Sequence, residues 1–257
     1  MSEENGKARE QVRRASISAF FPAFNDAATI GTLVRNVLSV LPQLTDSYEV
    51  LVINDGSTDA TQEVLEAIAA SQPLVRVIRH EQNRGYGAAL RSGFQNVTKD
   101  LVFYTDGDGQ YDVRDLPQLS QLLTEDVDIV NGFKLKRADT RGRRLVGGAY
   151  NLLARLLFGL PVSDVDCDFR LIRRRALQGI QLDSESGSIC VELVYKLHAA
   201  GCRFAETPVH HYPRLYGQSQ FFNGRSVLRT LRDFFALWLR MVALRHQEFS
   251  PNRTDKS

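Results

Sequence analysis

The residues able to do chemistry in this 257-residue chain fall into three short polar clusters. They are Pro22-Ala23-Phe24-Asn25-Asp26, Asn54-Asp55-Gly56-Ser57-Thr58-Asp59 and Asp106-Gly107-Asp108-Gly109-Gln110. Asp106 and Asp108 are hard oxygen donors one glycine apart. That spacing suits Mg²⁺ or Mn²⁺, which bind through one or two carboxylates together with substrate phosphates. A solvated acidic turn is the other reading of the same residues. An EF-hand does not fit: Tyr111 stands where the loop needs Gly, and no Glu closes it. Asn83-Arg84-Gly85-Tyr86-Gly87 reads either as backbone N–H groups open to a phosphate or as a tight strand-to-helix turn. It lacks G-x-x-x-x-G-K-[ST], which argues against a P-loop enzyme.

Something must carry these clusters to one place. Strand-like runs at 16–21, 48–54, 74–79 and 100–105 alternate with helix-like runs at 29–41, 59–71 and 86–97. That alternation predicts an α/β fold with a doubly wound, mostly parallel sheet. Ligands of such sheets bind beyond the carboxyl ends of the strands, where all three clusters lie. Thr58 or Asp59 is placed to cap the second helix, with Glu63 nearby. The second half is less regular. It gives a strand at 127–132, a basic connection over 133–144, a helix at 145–158, a short β-like piece at 169–172, a helix at 189–200 and a strand at 203–209.

Composition narrows the class. The chain is 43% hydrophobic, enough for a full core, and 32 Lys and Arg against 30 Asp and Glu argue against a dedicated nucleic-acid binder. Three cysteines without a C-x-x-C pair argue for free thiols in a reducing compartment. Residues 1–14 are polar and give no sign of a signal peptide. No run of about 18 apolar residues is free of charge; Arg155 interrupts the nearest approach, 145–163. His210 and His211 are adjacent on a strand, so they point apart and read as structural. Arg173-Arg174-Arg175 reads as solvated surface at a helix start.

Residues 224–246 read as one amphipathic helix. Arg225, Arg229 and Arg232 share one face, and Leu228, Leu231, Phe235, Trp238 and Val242 another. Such a helix suits an anionic membrane surface, or else packing on the body of the protein or a second subunit. The expected division is a flexible 1–15, a catalytic domain over 16–222, this helix over 223–246 and a flexible tail over 247–257.

As an ordered set, P-A-F-N-D, N-D-G-S-T-D, N-R-G-Y-G-A-A-L-R-S-G, D-G-D-G-Q, D-C-D-F-R-L-I-R-R and R-L-Y-G-Q-S resemble glycosyltransferase family 2, with its GT-A fold, over roughly 16–222. The likeness is strongest to the polyprenyl-phosphate branch, the dolichol-phosphate mannose synthases and undecaprenyl-phosphate sugar transferases. It implies a metal-dependent inverting transfer from a UDP- or GDP-sugar to a polyprenyl phosphate, by a peripheral enzyme on the cytoplasmic membrane face; a homo-oligomer is compatible with it. It implies donor contacts at Pro22, Asn25, Asp26, Asp55, Arg84, Gly85 and Asp106, and a metal at Asp106, Asp108 and Gln110. Arg214 would close over the diphosphate. Lys134, Arg137 and Arg144 lie in the basic connection, which reads either as a solvated loop or as a grip on an anionic acceptor or diphosphate; with Ser219, which matches the serine of the last motif, they are the candidates to hold the acceptor phosphate. Three departures bear on the acceptor. Asp26 stands where Glu is usual, Asp168 where Gly is usual, and Gln220 where Lys is common. A hydroxyl acceptor is the alternative. It needs a base, for which Asp168 or Glu192 are the candidates, Glu192 reading equally as a helix-surface or supporting carboxylate.

Overall fold

The computed structural model describes residues 15–135, 141–214 and 224–243, with backbone only for 141–145, 224–230 and 243. Seven strands form one sheet: β1 (Ile17–Ala23), β2 (Tyr48–Asn54), β3 (Val75–Arg79), β4 (Leu101–Thr105), β5 (Ile129–Lys134), β6 (Phe169–Arg173) and β7 (Phe204–Val209). Their order is β3-β2-β1-β4-β6-β5-β7. Only β6 runs antiparallel to its neighbours, so the other six strands end at the same edge.

Every residue of β1 is buried, as a central parallel strand covered on both faces requires. Alternation divides its side chains. Ile17, Ala19 and Phe21 pack with α1 (Ile30–Val40), while Phe20 packs with α3 (Tyr86–Asn96) and α6 (Ile189–Ala199). Gly93 of α3 lies on the Phe20 ring, where a Cβ would overlap it. β1 runs two residues further than the alternation predicts, through Pro22. Its pairing with β4 stops at Phe20–Tyr104, so the missing N–H of Pro22 breaks no ladder on that side.

The other helices are α2 (Thr61–Ser71), α4 (Leu116–Leu122), α5 (Arg141–Phe158) and α7 (Gly224–Trp238), the last continuing as a π-turn at Leu239–Ala243. Asp59 starts α2 by accepting from the Thr61 N–H at 3.0 Å. Sequence patterning did not separate α4 from its loop, and it placed the start of α5 four residues late, inside the basic connection. A third core joins α5, α6 and α7 around Phe158, Val191, Val194 and Phe234. On α7 the buried stripe is Phe234, Leu237 and Met241, while Leu231 and Phe235 face outward. The apolar face expected there is therefore rotated by about one residue. No described helix is long and apolar enough to cross a membrane.

Candidate active site

Beyond the carboxyl edge, the loops after β1 and β2 are laced together. Asn25, in the left-handed region at φ 57°, donates its N–H to Ser57 Oγ and accepts at Oδ1 from the Thr58 N–H at 2.8 Å. Asp26 donates its N–H to Thr61 Oγ1, and Ala27 donates to Asp59 Oδ2. Thr29 Oγ1 reaches across to the Gly107 carbonyl. Gly107 itself presses on the Pro22 carbonyl so closely that a Cβ would overlap it. Pro22 and Asn25 thus serve the loop frame in this structure: the first is a buried floor and the second a staple.

The Asp106–Gln110 loop is strapped to the segment after β7. Gln110 accepts at its backbone carbonyl from the Tyr212 N–H at 2.7 Å and donates Nε2–H to the Tyr212 carbonyl at 2.9 Å. Tyr111 pairs with His211 in an isolated bridge. The strap delivers Arg214 onto Asp108 Oδ2, while Asp108 Oδ1 accepts from the Gln110 N–H. His210 turns the other way, to Asp115, so the two histidines do not converge.

Carboxylates crowd this edge. Burial, and then the charges of Asp168 and Asp108, push the Asp106 carboxyl well above the usual range, against a 2.7 Å hydrogen bond from Tyr86 OH and the charge of Lys134. Asp26 is pushed up to about 6, first by burial and also by Asp108 and Asp59, against the Phe24 N–H and Arg214. Excess negative charge on hard oxygen donors suits a divalent cation. Among the described residues, no three His, Cys, Asp or Glu side chains form a ready-made cage. Two carboxylates completed by diphosphate oxygens is the pattern expected of Mg²⁺.

Asp55 is buried. It accepts from the Arg84 and Gly85 N–H groups at 2.9 Å each and faces His80 Nδ1 at 2.6 Å, with His80 Nε2 on Ser92 Oγ. The Gly87 N–H donates to the Glu185 carbonyl, and Cβ atoms at Gly85 or Gly87 would collide with the carbonyls of Glu185 and Ser184. Of the two readings of N-R-G-Y-G, the structure supports the tight turn. Its N–H groups at 84, 85 and 87 are bound within the protein. The loop pressing on it is held by Glu192, fully buried, which accepts from the Asp183 and Ser184 N–H groups and pairs with Lys196 at 2.6 Å. Glu192 is therefore a buried anchor; the geometry corrects both the surface and the base readings. Arg173 and Arg174 are also corrected, since they donate to the carbonyls of Val127, Thr124 and Lys99 rather than to solvent.

On the β5–β7 side, Asp168 is a counter-ion. Its Oδ1 accepts from Arg170 Nη1 at 3.2 Å and from Cys190 Sγ at 3.1 Å. Arg170 is 1% exposed and also donates to Tyr104 OH and Asn131. Lys134 Nζ donates to the Asp166 carbonyl and lies 5.9 Å over the Tyr111 ring. Next to Lys134 opens a cleft of about 310 Å³, lined by Asn151, Leu152, Arg155, Ser163 and Asp164 among others. Arg137, the Arg144 side chain and Ser219 lie outside the described residues.

A family model described as glycosyl transferase family 2 matches residues 18–180. The chain belongs to that family. Among known relatives it is similar to undecaprenyl-phosphate 4-deoxy-4-formamido-L-arabinose transferases. It is 30% identical to that of Sodalis glossinidius over 207 residues, which are 80% of this chain and 62% of the relative. It is 28% identical to that of Yersinia enterocolitica over 214 residues, 82% and 64%. The chain thus spans less than two thirds of the length of these relatives. Glucosyl-3-phosphoglycerate synthase from Mycobacterium tuberculosis shares the GT-A fold. Its complex with Mn²⁺, UDP and phosphoglyceric acid superposes at TM-score 0.68, 22% identity, covering 91% of this chain and 82% of that one. Its Mg²⁺ and UDP complex gives 0.66, at 22% identity, 90% and 82%.

In this family 2 chain, sequence reasoning missed two site residues. Tyr86 reaches Asp106 from inside the glycine-rich turn, and a lone aromatic hydroxyl among glycines was the available signal. Arg170 is the other. Asp168-x-Arg170 is an i, i+2 pair entering a strand, which puts both side chains on one face.

Proposed function

We propose that the protein transfers a sugar from a nucleoside-diphosphate sugar to a polyprenyl phosphate, with inversion at the anomeric carbon. The observation that carries this is the meeting of Asp26, Asp106, Asp108 and Arg214 beyond the ends of β1, β4 and β7 in a family 2 chain. Asp106 and Asp108, with Gln110 beside them, are the residues to hold Mg²⁺ or Mn²⁺, which supplies charge neutralisation at the departing diphosphate. Asp26 and the Asn25 staple bound the donor side, and Asp55 holds the Arg84–Gly85 turn in register under the nucleotide. Arg214 turns from Asp108 toward the diphosphate as negative charge grows there, a charge-assisted contact of the kind that favours the transition state.

The acceptor assignment draws on the undecaprenyl-phosphate relatives. A phosphate monoester is already ionised at neutral pH, with a second pKa near ~6, so it needs cations rather than a base. Lys134, at the mouth of the cleft, is the described residue for that role, with Arg137, Arg144 and Ser219 as its proposed companions. Asp168 is spoken for by Arg170, which favours the phosphate over the hydroxyl acceptor. The protein works peripherally on the cytoplasmic membrane face, with α7 as its contact.

The test combines the purified protein, Mg²⁺ or Mn²⁺, a panel of labelled UDP- and GDP-sugars and a polyprenyl phosphate in detergent. Metal-dependent label in the organic phase from one donor, absent with Asp108→Ala, is the expected result. Donor hydrolysis without organic-phase label overturns the acceptor assignment.

A further inference from the structure

The Asp168 carboxylate is only half used. All of its side-chain hydrogen bonds fall on Oδ1, from Arg170 Nη1 at 3.2 Å, Cys190 Sγ at 3.1 Å and Tyr104 OH at 3.4 Å. Oδ2 has no hydrogen-bond partner among the described residues, although Asp168 is only 7% exposed. Nor is Oδ2 sealed in the core; it looks onto an opening. A carboxylate oxygen left without a partner at that depth costs stability, so it points to a ligand.

The frame behind it does not move. Arg170 donates Nε–H to Asn131 Oδ1, Nη1–H to Tyr104 OH and Nη2–H to the Val165 carbonyl. The guanidinium is fixed on three sides, which holds Oδ1 and sets the direction of Oδ2. The Asp168 N–H is held as well, by Tyr111 OH at 3.2 Å.

The sheet says what lies in front of it. β4 and β6 pair antiparallel with Tyr104 opposite Arg170 and Thr105 opposite Phe169, so one step further the register sets Asp168 across from Asp106. Tyr86 OH already takes Asp106 Oδ1. Along the strand order β4-β6-β5, the site edge then presents Asp106 and Asp108, next Asp168, and next Lys134 at the end of β5. On the functional reading above, the two β4 carboxylates serve the donor diphosphate and Lys134 the acceptor phosphate. The group that lies between them is the sugar.

Charge agrees with that occupant. Diphosphate and acceptor phosphate are anions, which a bare carboxylate oxygen repels. A cation gains little, since Arg170 already balances Asp168. Sugar hydroxyls are neutral donors, and their bonds to a carboxylate are charge-assisted.

We propose that Asp168 is a specificity-determining residue for the transferred sugar, its Oδ2 accepting one or two of that sugar's hydroxyl groups. The proposal rests on the functional reading above and deepens it. A sugar without a hydroxyl at that place leaves Oδ2 buried and unpaired, which is how such a site rejects it.

The test is calorimetry on the full chain with Mn²⁺. It compares UDP with UDP-glucose, UDP-galactose and UDP-N-acetylglucosamine, and GDP with GDP-mannose. The affinity of each donor divided by that of its bare diphosphate reads the sugar contact alone. Asp168→Asn puts an N–H donor where Oδ2 stood. It should cut that ratio about tenfold or more for at least one donor. The bare diphosphate should bind at least as tightly as before, because a negative charge has left the site. An unchanged ratio for every donor would overturn the proposal. So would an equal loss for the bare diphosphate, which is the mark of a merely structural Asp168. A second measurement needs no variant: among singly deoxygenated forms of the best-bound donor, one position should cost the wild type about tenfold or more. Equal binding of all of them would overturn the proposal. A wild type that binds neither UDP nor GDP would defeat the functional reading and this inference with it, whereas intact nucleotide binding with an unchanged ratio defeats this inference alone.

Discussion

The half of the molecule around β1, β2 and β4 and the half around β5, α5 and α7 solve opposite problems. In the first, almost every polar group has a partner on another loop: Asn25 on the Thr58 N–H, Thr29 on Gly107, Asp55 on the Arg84–Gly85 turn. Such a frame fixes a few carboxylates against their own repulsion, which is what binding a charged donor needs. In the second, Leu152, Leu153 and Leu156 of α5 and Leu231 and Phe235 of α7 stand in solvent. The reaction proposed above, between a water-borne donor and a lipid-borne acceptor, would use both halves.

The contrast can be broken in order of effect. Arg170→Met leaves Asp168 a buried, unpaired charge beside Asp106, and should cost about 3–5 kcal/mol of stability in urea unfolding. A loss under 1 kcal/mol would mean that Asp168 is solvated. Asp108→Ala should lower turnover by about 10²–10³-fold while leaving the melting transition in place. Gly87→Ala puts a Cβ into the Ser184 carbonyl, and should destabilise by about 1–3 kcal/mol and weaken donor binding in calorimetry. Unchanged donor affinity would separate the 183–187 loop from the donor side.

Glu49, far from the site, gives the smallest effect. Burial raises its carboxyl, but bonds from Ser18 and Thr98 and the Arg76 charge outweigh that and hold it below its ordinary 4.5. A depressed folded value means stability that is present above 4.5 and lost as pH falls through the folded value. Glu49→Gln should therefore cost about 1 kcal/mol at pH 7 and progressively less in acid, measured by unfolding at several pH values.

Much of the first half was legible because parallel strands buried on both faces read as continuous apolar runs, and each ends in a polar cluster. Pro22 hid the true end of β1, since its harmlessness depends on where β4 stops. Leu116–Leu122 escaped because a seven-residue helix shows too few turns to display a period. The α7 pattern carried two apolar stripes about one residue apart, and only the position of α5 and α6 decides which is buried. Asp55 was legible as an acid but not as the anchor of the Arg84–Gly85 turn, because the partners that show that role are backbone N–H groups that no side-chain pattern reveals; for Glu192 the supporting reading stood beside the surface one, and the Asp183 and Ser184 N–H groups decide for it.

The most direct test of the two-half account compares two acceptors with one donor: a long-chain polyprenyl phosphate in anionic vesicles and a short, water-soluble prenyl phosphate. Leu152→Glu/Leu156→Glu should lose most of its transfer to the vesicle-borne acceptor and keep wild-type transfer to the soluble one, while Asp108→Ala loses both. Equal transfer by the wild type and the α5 variant to the vesicle-borne acceptor would contradict the account.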